Sequence, residues 1–215
     1  MSDGRARLAA LKELAGGPAP APCIPVGSPP IALLRVVATR GDRMSADDVS
    51  RLTEWRNKFV TAFLTEFRAT DTQTAHWLLH HVGPSASKIL FMVDDLDGRT
   101  FGYMGLDAID WARGTGEADA IVRGGDAPRG AMAAALTTLL EWARTALGLR
   151  ELRVRVRSDN PAVAFYEKIG FRETRRVALR RTEAPGKVTW VEDPKLPSDG
   201  LALVHMVHEP ARVHA

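Results

Sequence analysis

Residues Glu151 to Phe171 constrain the fold more than any other stretch of the chain. Glu151-Leu152-Arg153-Val154-Arg155-Val156-Arg157 alternates apolar and charged residues strictly, the period of a strand with one buried face. Asn160 then offers a side-chain oxygen to the free N–H groups of a helix start. Pro161 takes the first helical position, where a missing N–H costs nothing. Val163, Phe165, Tyr166 and Ile169 give the short helix a buried stripe. Gly170 ends it, where left-handed backbone is commonest, and Phe171 opens a further strand.

Around this unit the chain reads in order. Ile31 to Ala38 is a first strand, and Ser45 caps a helix with Asp47 and Asp48 in its first turn, carrying Val49, Leu52 and Trp55 inward. Thr72 to His81 is a second helix, stopped before Gly83-Pro84. Lys88–Val93 and Arg99–Ile109 pair around an Asp97-Gly98 turn, and Ala118–Val122 is the next strand. A long helix spans Pro128 to Leu147, with Met132, Leu136, Leu139, Leu140 and Ala143 on its apolar side. After Phe171 a strand reaches Arg181, a Pro/Lys-rich excursion passes Pro185, Trp190 and Pro197, and Leu201–Val207 is the last strand. Residues 1–30 read as an N-terminal extension with a short helix and a Pro/Ala linker, and no packed element is expected before Ile31. Residues 31–210 form the main domain and 211–215 a tail.

An apolar fraction of 45% with 26% charged residues is that of a globular protein with a substantial core. No apolar run approaches a membrane span, and the first residues lack a secretory signal, so a cytoplasmic protein without a membrane partner is expected. The single cysteine, Cys23, excludes an internal disulfide framework. Residues 150–181 hold nine arginines and one lysine against four acids. Without interleaved aromatics this reads as a solvated strand face rather than a nucleic-acid surface. His76 and His80 share a helix face at a zinc-pair spacing, but the peptidase pattern needs Glu where Trp77 stands, so no metal is expected.

The strand, the capping Asn160, Tyr166 and the closing Gly170-Phe171 resemble the end of the catalytic core in the GCN5-related N-acetyltransferases, the GNAT family. The strand and helix order from residue 31 to about 208 is similar to the family's. The resemblance implies an α/β fold with a mixed, mostly antiparallel sheet of about seven strands, helices on both faces and a splayed pair at the fourth and fifth strands. It implies acetyl-CoA as co-substrate and direct transfer of the acetyl group to an amine.

A second segment, Arg123-Gly124-Gly125-Asp126-Ala127-Pro128-Arg129-Gly130-Ala131-Met132, joins a strand to the long helix. Small residues and a helix N-terminus make a seat for an anion. By resemblance this is where the coenzyme pyrophosphate is held, through Arg129, Gly130, Ala131 and Met132. The sequence departs from the family pattern at Met132, which occupies a position usually small. The resemblance puts Ile121, Val122 and Arg123 along the pantetheine arm, with Asn160 and Phe165 also beside the cofactor. It makes Tyr166 the proton donor to the leaving thiolate.

For the base, Glu117 and Asp119 fall two apart on one strand face. Glu117 is the first choice and Asp119 the second, with Asp107, Asp110, His76 and His80 as rivals. Arg56, Trp77, His80 and Trp190 are the candidate acceptor residues, aromatic platforms and a cation able to hold a sugar, base or phosphate. The leading expectation is acetylation of a primary amine on a small molecule, with an amino-sugar nucleotide as the specific case. A peptide or protein α-amine acetyltransferase and a non-catalytic acyl-CoA-binding module are the alternatives. A homodimer is left open by the sequence.

Overall fold

Local chemistry sets where most elements begin and end. The computed structural model describes residues 3–15, 17–197 and 200–209, so the expected tail 211–215 lies outside the described residues. In chain order the elements are α1 (Asp3–Ala15), β1 (Cys23–Val26), β2 (Ala32–Val36), α2 (Ala46–Lys58), β3 (Thr65–Glu66), α3 (Asp71–Trp77), β4 (Ile89–Asp94), β5 (Thr100–Asp110), β6 (Thr115–Arg123), α4 (Ala131–Thr145), β7 (Glu151–Arg157), α5 (Ala162–Ile169), β8 (Phe171–Ala184), β9 (Lys187–Glu192) and β10 (Ala202–His208). The α/β class and mostly antiparallel pairing agree with expectation. The described residues hold ten strands rather than seven, because β1, β3 and β9 arise in segments read as linker or loop.

The caps follow the sequence closely. Ser45 Oγ accepts from the Asp48 N–H at 3.3 Å, and Thr70 and Gln73 form a reciprocal capping box that starts α3. The turn of α3 continues as a π-helical turn, Leu78–Val82. Asn160 Oδ1 accepts from the Ala162 N–H at 2.9 Å, and Gly170, at φ 103°, closes α5. α4 begins at Ala131 instead of Pro128. Gly130 takes φ 82°, and the Ala131 N–H bonds back to the Pro128 carbonyl at 3.0 Å, so residues 128–130 are a tight turn before the helix.

The chain divides into two units. The first comprises Met1–Arg56 and Ala69–Arg150. Its strands run β1-β2-β4-β5-β6, each pair antiparallel. α4 buries Leu136, Leu139, Leu140 and Ala143 and packs on β1, β2 and β5, with Trp142 edge-on to Phe91. Each buried leucine contributes about 1.5–3 kcal/mol, which outweighs the helix's intrinsic propensity. Arg35 ties three elements, reaching Asp94 at 2.6 Å and Asp48 at 2.8 Å. Asp48 is therefore buried as an ion-pair partner, beyond the helix-dipole role its position suggested.

The expectation of no packed element before Ile31 is corrected in this unit. Cys23–Val26 pairs with Ala32–Arg35 across a turn in which Gly27 takes φ 86°. Pro25 is compatible because β1 is an edge strand, where one side of the ladder needs no N–H. α1 docks as well. Leu8 is buried, Gly4 lies against the backbone of Leu147, and Lys12 Nζ donates to the carbonyls of Val82 (2.6 Å), Gly83 (3.2 Å) and Ser85 (2.6 Å). Those carbonyls end the π-helical turn, so Lys12 caps it from outside.

The second unit comprises Asn57–Arg68 and Glu151–Ala215, with strand order β7-β10-β8-β9-β3. β7 and β8, joined by α5, are each antiparallel to β10 and so run parallel with β10 between them. The excursion after Arg181 is corrected too. β8 extends to Ala184, turns at Pro185-Gly186 with Gly186 at φ 72°, and returns as β9. β3 then pairs with β9 through Thr65 and Glu66.

Candidate active site

β6 carries the candidate base residues, and its register decides which face each presents. Asp107 on β5 lies opposite Glu117, and Gly105 opposite Asp119. Two residues further, Tyr103 faces Val122, so Ala120 and Ile121 together oppose the single Met104. This is a β-bulge, with Ala120 at φ 53°. A non-glycine residue in left-handed backbone stores about 1–3 kcal/mol of strain, the kind of cost that clusters at functional sites. The bulge interrupts the ladder at Ile121, while Val122 and Arg123 rejoin it opposite Tyr103 and Gly102.

The carboxylates differ in their partners. Lys88 Nζ sits 2.6 Å from Asp107 Oδ2 and 3.9 Å from Asp119 Oδ2, and 5.6 Å from the centre of the Trp77 ring. Asp110, one of the rivals, accepts from the N–H groups of Ala112 and Arg113 and is a turn residue. His76 and His80 are exposed, with ring centroids 4.3 Å apart. Among the described residues no group of three or more metal-ligating side chains comes together.

Immediately after β6 comes the glycine-rich turn. The N–H groups of Gly124 and Gly125 both donate to the Phe101 carbonyl at 3.0 Å, so this half of the turn is anchored to β5. The other half is open. A Cβ on Gly130 would meet nothing within 4 Å, and Arg129 and Arg123 are exposed. Ala131 and Met132 are buried, their side chains facing the core. The first turn of α4 presents N–H groups toward the Gly130 side with the positive end of the helix dipole behind them. Of the two halves of the turn, only the Arg129-Gly130 half leaves its backbone clear of neighbouring atoms, the Gly124 and Gly125 N–H groups being taken up by Phe101.

Trp55, Arg56 and Tyr103 form a second cluster in this unit. The Trp55 and Tyr103 rings stack with centroids 6.3 Å apart and planes within 6°. Burial pushes the Tyr103 phenol well above its usual range, with Arg56 opposing and Asp119 adding to the rise. Burial likewise lowers Arg56, which Tyr103 partly counters. Sequence reasoning singled out Arg56 but missed Tyr103 and Lys88. Tyr103 stood unremarked inside the strand Arg99–Ile109, and Lys88 only as the first residue of the strand before it.

In the second unit Tyr166 is buried on α5, its ring edge-on to Phe165 at 5.5 Å and Phe171 at 5.7 Å. Asn160 caps the same helix. Trp190 on β9 donates from Nε1 to Glu66 at 2.6 Å and lies under the Arg157 guanidinium at 4.9 Å. Arg157 is buried and paired with Glu66 at 2.7 Å and Asp159 at 2.8 Å. Trp190 is thus one face of a closed polar network. The arginine-rich stretch 150–181 is compensated in the same way. Glu209, Glu192, Asp193 and Glu183 pair with Arg172, Arg175, Arg180 and Arg181.

No helix of the structure is long and apolar enough to cross a membrane among the described residues. A family model described as an acetyltransferase (GNAT) domain matches residues 42–172. Among solved structures, spermidine N-acetyltransferase from Vibrio cholerae in complex with CoA and spermine is similar at 17% identity and TM-score 0.63, over 82% of this chain and 94% of that one. A probable GNAT-family acetyltransferase from Chromobacterium violaceum is 18% identical with TM-score 0.64, over 89% and 88% of the two chains. No curated protein matches the chain significantly.

Proposed function

Because the chain belongs to the acetyltransferase (GNAT) family and is an acetyl-CoA-dependent N-acetyltransferase, we propose that it acetylates a primary amine of a small cationic molecule, with Glu117 or Asp119 as base and Tyr166 as acid. The observation that carries this reading is the row of carboxylates Asp107, Glu117 and Asp119 on β5 and β6, which ends at the Ala120 bulge. β6 then leads directly into the open turn at Gly130. Base and anion seat therefore share one continuous segment. A row of carboxylates attracts an ammonium and can remove its proton. The polyamine enzyme among the structural neighbours lends support to a cationic acceptor.

Acetyl-CoA supplies a thioester carbonyl and a thiolate leaving group. Arg129 and the N–H groups that follow Ala131 in the first turn of α4 would hold its pyrophosphate, with Gly130 keeping the approach free of side chain. Ile121, Val122 and Arg123 would line the arm, and Phe165 and Asn160 would flank it. Glu117 takes a proton from the acceptor, directly or through one water, and Asp119 is the second candidate. Tyr166 would give its phenolic proton to sulfur as the thiolate develops.

A second acceptor, an amino-sugar nucleotide, is favoured by one feature, the half-buried Arg56 beside the stacked Trp55–Tyr103 pair. Trp77 and His80 would then be sugar or base platforms, whereas Trp190 is already engaged by Glu66 and Arg157. Thiol release from acetyl-CoA against spermidine, an amino-sugar nucleotide and a peptide α-amine separates these cases. Spermidine turnover well above the other two is the expected result. Preference for the peptide amine would overturn the small-molecule reading, and preference for the nucleotide would move the acceptor contact to Arg56.

A further inference from the structure

We infer that Lys88 is a positioning residue that sets the working pH of the β6 carboxylate by neutralising Asp107 beside it. The inference rests on the assignment of the base to Glu117 or Asp119. Lys88 immediately precedes Ile89, which pairs with Leu106, and Asp107 pairs with Glu117. Lys88, Asp107 and Glu117 therefore occupy neighbouring positions on three successive strands, on one face. Asp119 lies two residues along β6 on that same face, opposite Gly105, where β4 packs so closely that a Cβ would meet the Ile89 carbonyl at 2.3 Å.

The contacts bear this out. Lys88 Nζ is 2.6 Å from Asp107 and 3.9 Å from Asp119. The second oxygen of Asp107 accepts from the Ala108 N–H at 2.7 Å, which fixes the carboxylate in place. The lysine is 21% exposed and Asp107 34%, so the pair is partly shielded from solvent. Three carboxylates thus share one face with one ammonium. Without that ammonium, Asp107 would stand as an uncompensated negative charge next to Glu117, and like charges make each carboxylate hold its proton to higher pH.

Arg56 from α2 and Tyr103 on β5 interact with each other, and Tyr103 also with Asp119. Lys12 from α1 stands close enough to Lys88 to feel its charge, and burial together with Lys88 lowers it to about 8. Tyr103 and Lys12 titrate on the alkaline side; α3 and the π-helical turn after it, whose Trp77 lies under Lys88, also carry His76 and His80, so the acidic limb is assigned to the carboxylates where Glu117→Gln or Asp119→Asn alters it.

The test is the pH dependence of kcat with spermidine, or with the best acceptor of the thiol-release panel, at saturating acetyl-CoA. The acceptor's own ionisation is common to all variants and drops out of the comparison. Lys88→Met should move the acidic limb about one pH unit higher. Lys88→Arg should leave it in place, and Lys88→Met combined with Asp107→Asn should bring it back. Asp107→Asn alone, which leaves Lys88 facing the β6 acids, should move the limb the other way and serves if the methionine variant does not fold. An unmoved limb in Lys88→Met, with Glu117→Gln or Asp119→Asn still altering it, would make Lys88 merely structural. If neither β6 substitution touches the limb, the base assignment fails first and the inference with it.

Discussion

Gly124 lies flat against the indole of Trp55. A Cβ added to it would sit 1.8 Å from Trp55 Cδ2 and 2.1 Å from Cε2. The glycine-rich turn is thus held to α2 on one side and to the Phe101 carbonyl on the other. Gly124→Ala must displace the indole and break its stack on Tyr103. A stability loss of about 1–3 kcal/mol is expected, the usual cost of overpacking a filled site. Urea unfolding followed by tryptophan fluorescence measures it, and an unchanged midpoint would mean the turn can slide away without cost.

Truncation tests the N-terminal segment. A chain starting at Pro29 loses α1, β1 and the Lys12 cap on the π-helical turn. It also bares β2 as a new edge. The melting temperature should fall by several degrees, since even ~1 kcal/mol shifts a chain of this size by about 2–4 °C. Lys12→Met should lose part of that, about 1–2 kcal/mol for charge-assisted bonds to carbonyls. Equal melting temperatures for truncated and full-length chains would return residues 1–28 to the status of a solvated extension.

How far the sequence revealed this molecule depended on whether the deciding interactions were local. Asn160, Gly170, Ser45 and the alternation of 151–157 act within a few residues, and each appears where expected. The missed strands depend on distant partners. β1 exists because β2 offers it an edge, and β3 because Trp190 and Arg157 hold Glu66 from more than ninety residues away. Prolines in 18–30 and at 185 read as breakers, but one lies in an edge strand and another in a two-residue turn. At the candidate site, β6 and its acids were legible from alternation. The Ala120 bulge and the Lys88 pairing required the register of three strands, which no short pattern encodes.

The Glu66–Arg157 pair gives a pH-dependent prediction. Burial pushes the Glu66 carboxyl upward, but hydrogen bonds from Trp190 and Arg157 and the nearby arginine charges prevail, so its pKa is lowered overall. A depressed carboxylate contributes stability that is present above its unfolded pKa and is lost as pH falls through the folded value. Glu66→Gln should therefore destabilise by about 1–3 kcal/mol near neutral pH, the scale of a hydrogen bond to a charged partner. The difference from wild type should shrink once pH drops below about 4. Denaturation at pH 7 and at pH 3 checks this, and a gap that stays constant would mean the pair carries no net charge coupling.

Tyr166 is the sharpest test of the proposed chemistry. Its ring is packed edge-on between Phe165 and Phe171 on a helix capped by Asn160. Tyr166→Phe keeps that packing and removes only the hydroxyl, so stability should change by no more than about 1–1.5 kcal/mol, the net worth of one hydrogen bond. If the hydroxyl protonates the departing thiolate, kcat should fall by about 10²–10⁴-fold. Acetyl-CoA affinity should hardly move, because the interaction is made only in the transition state. A thioester with a more acidic thiol leaving group needs less help from an acid, so it should recover much of the lost rate in the variant. Steady-state kinetics with both thioesters and calorimetric binding of coenzyme A give the three readings. Near-normal kcat with chemistry rate-limiting would return the acid role to water. A loss confined to the acceptor KM would instead make Tyr166 part of the acceptor contact.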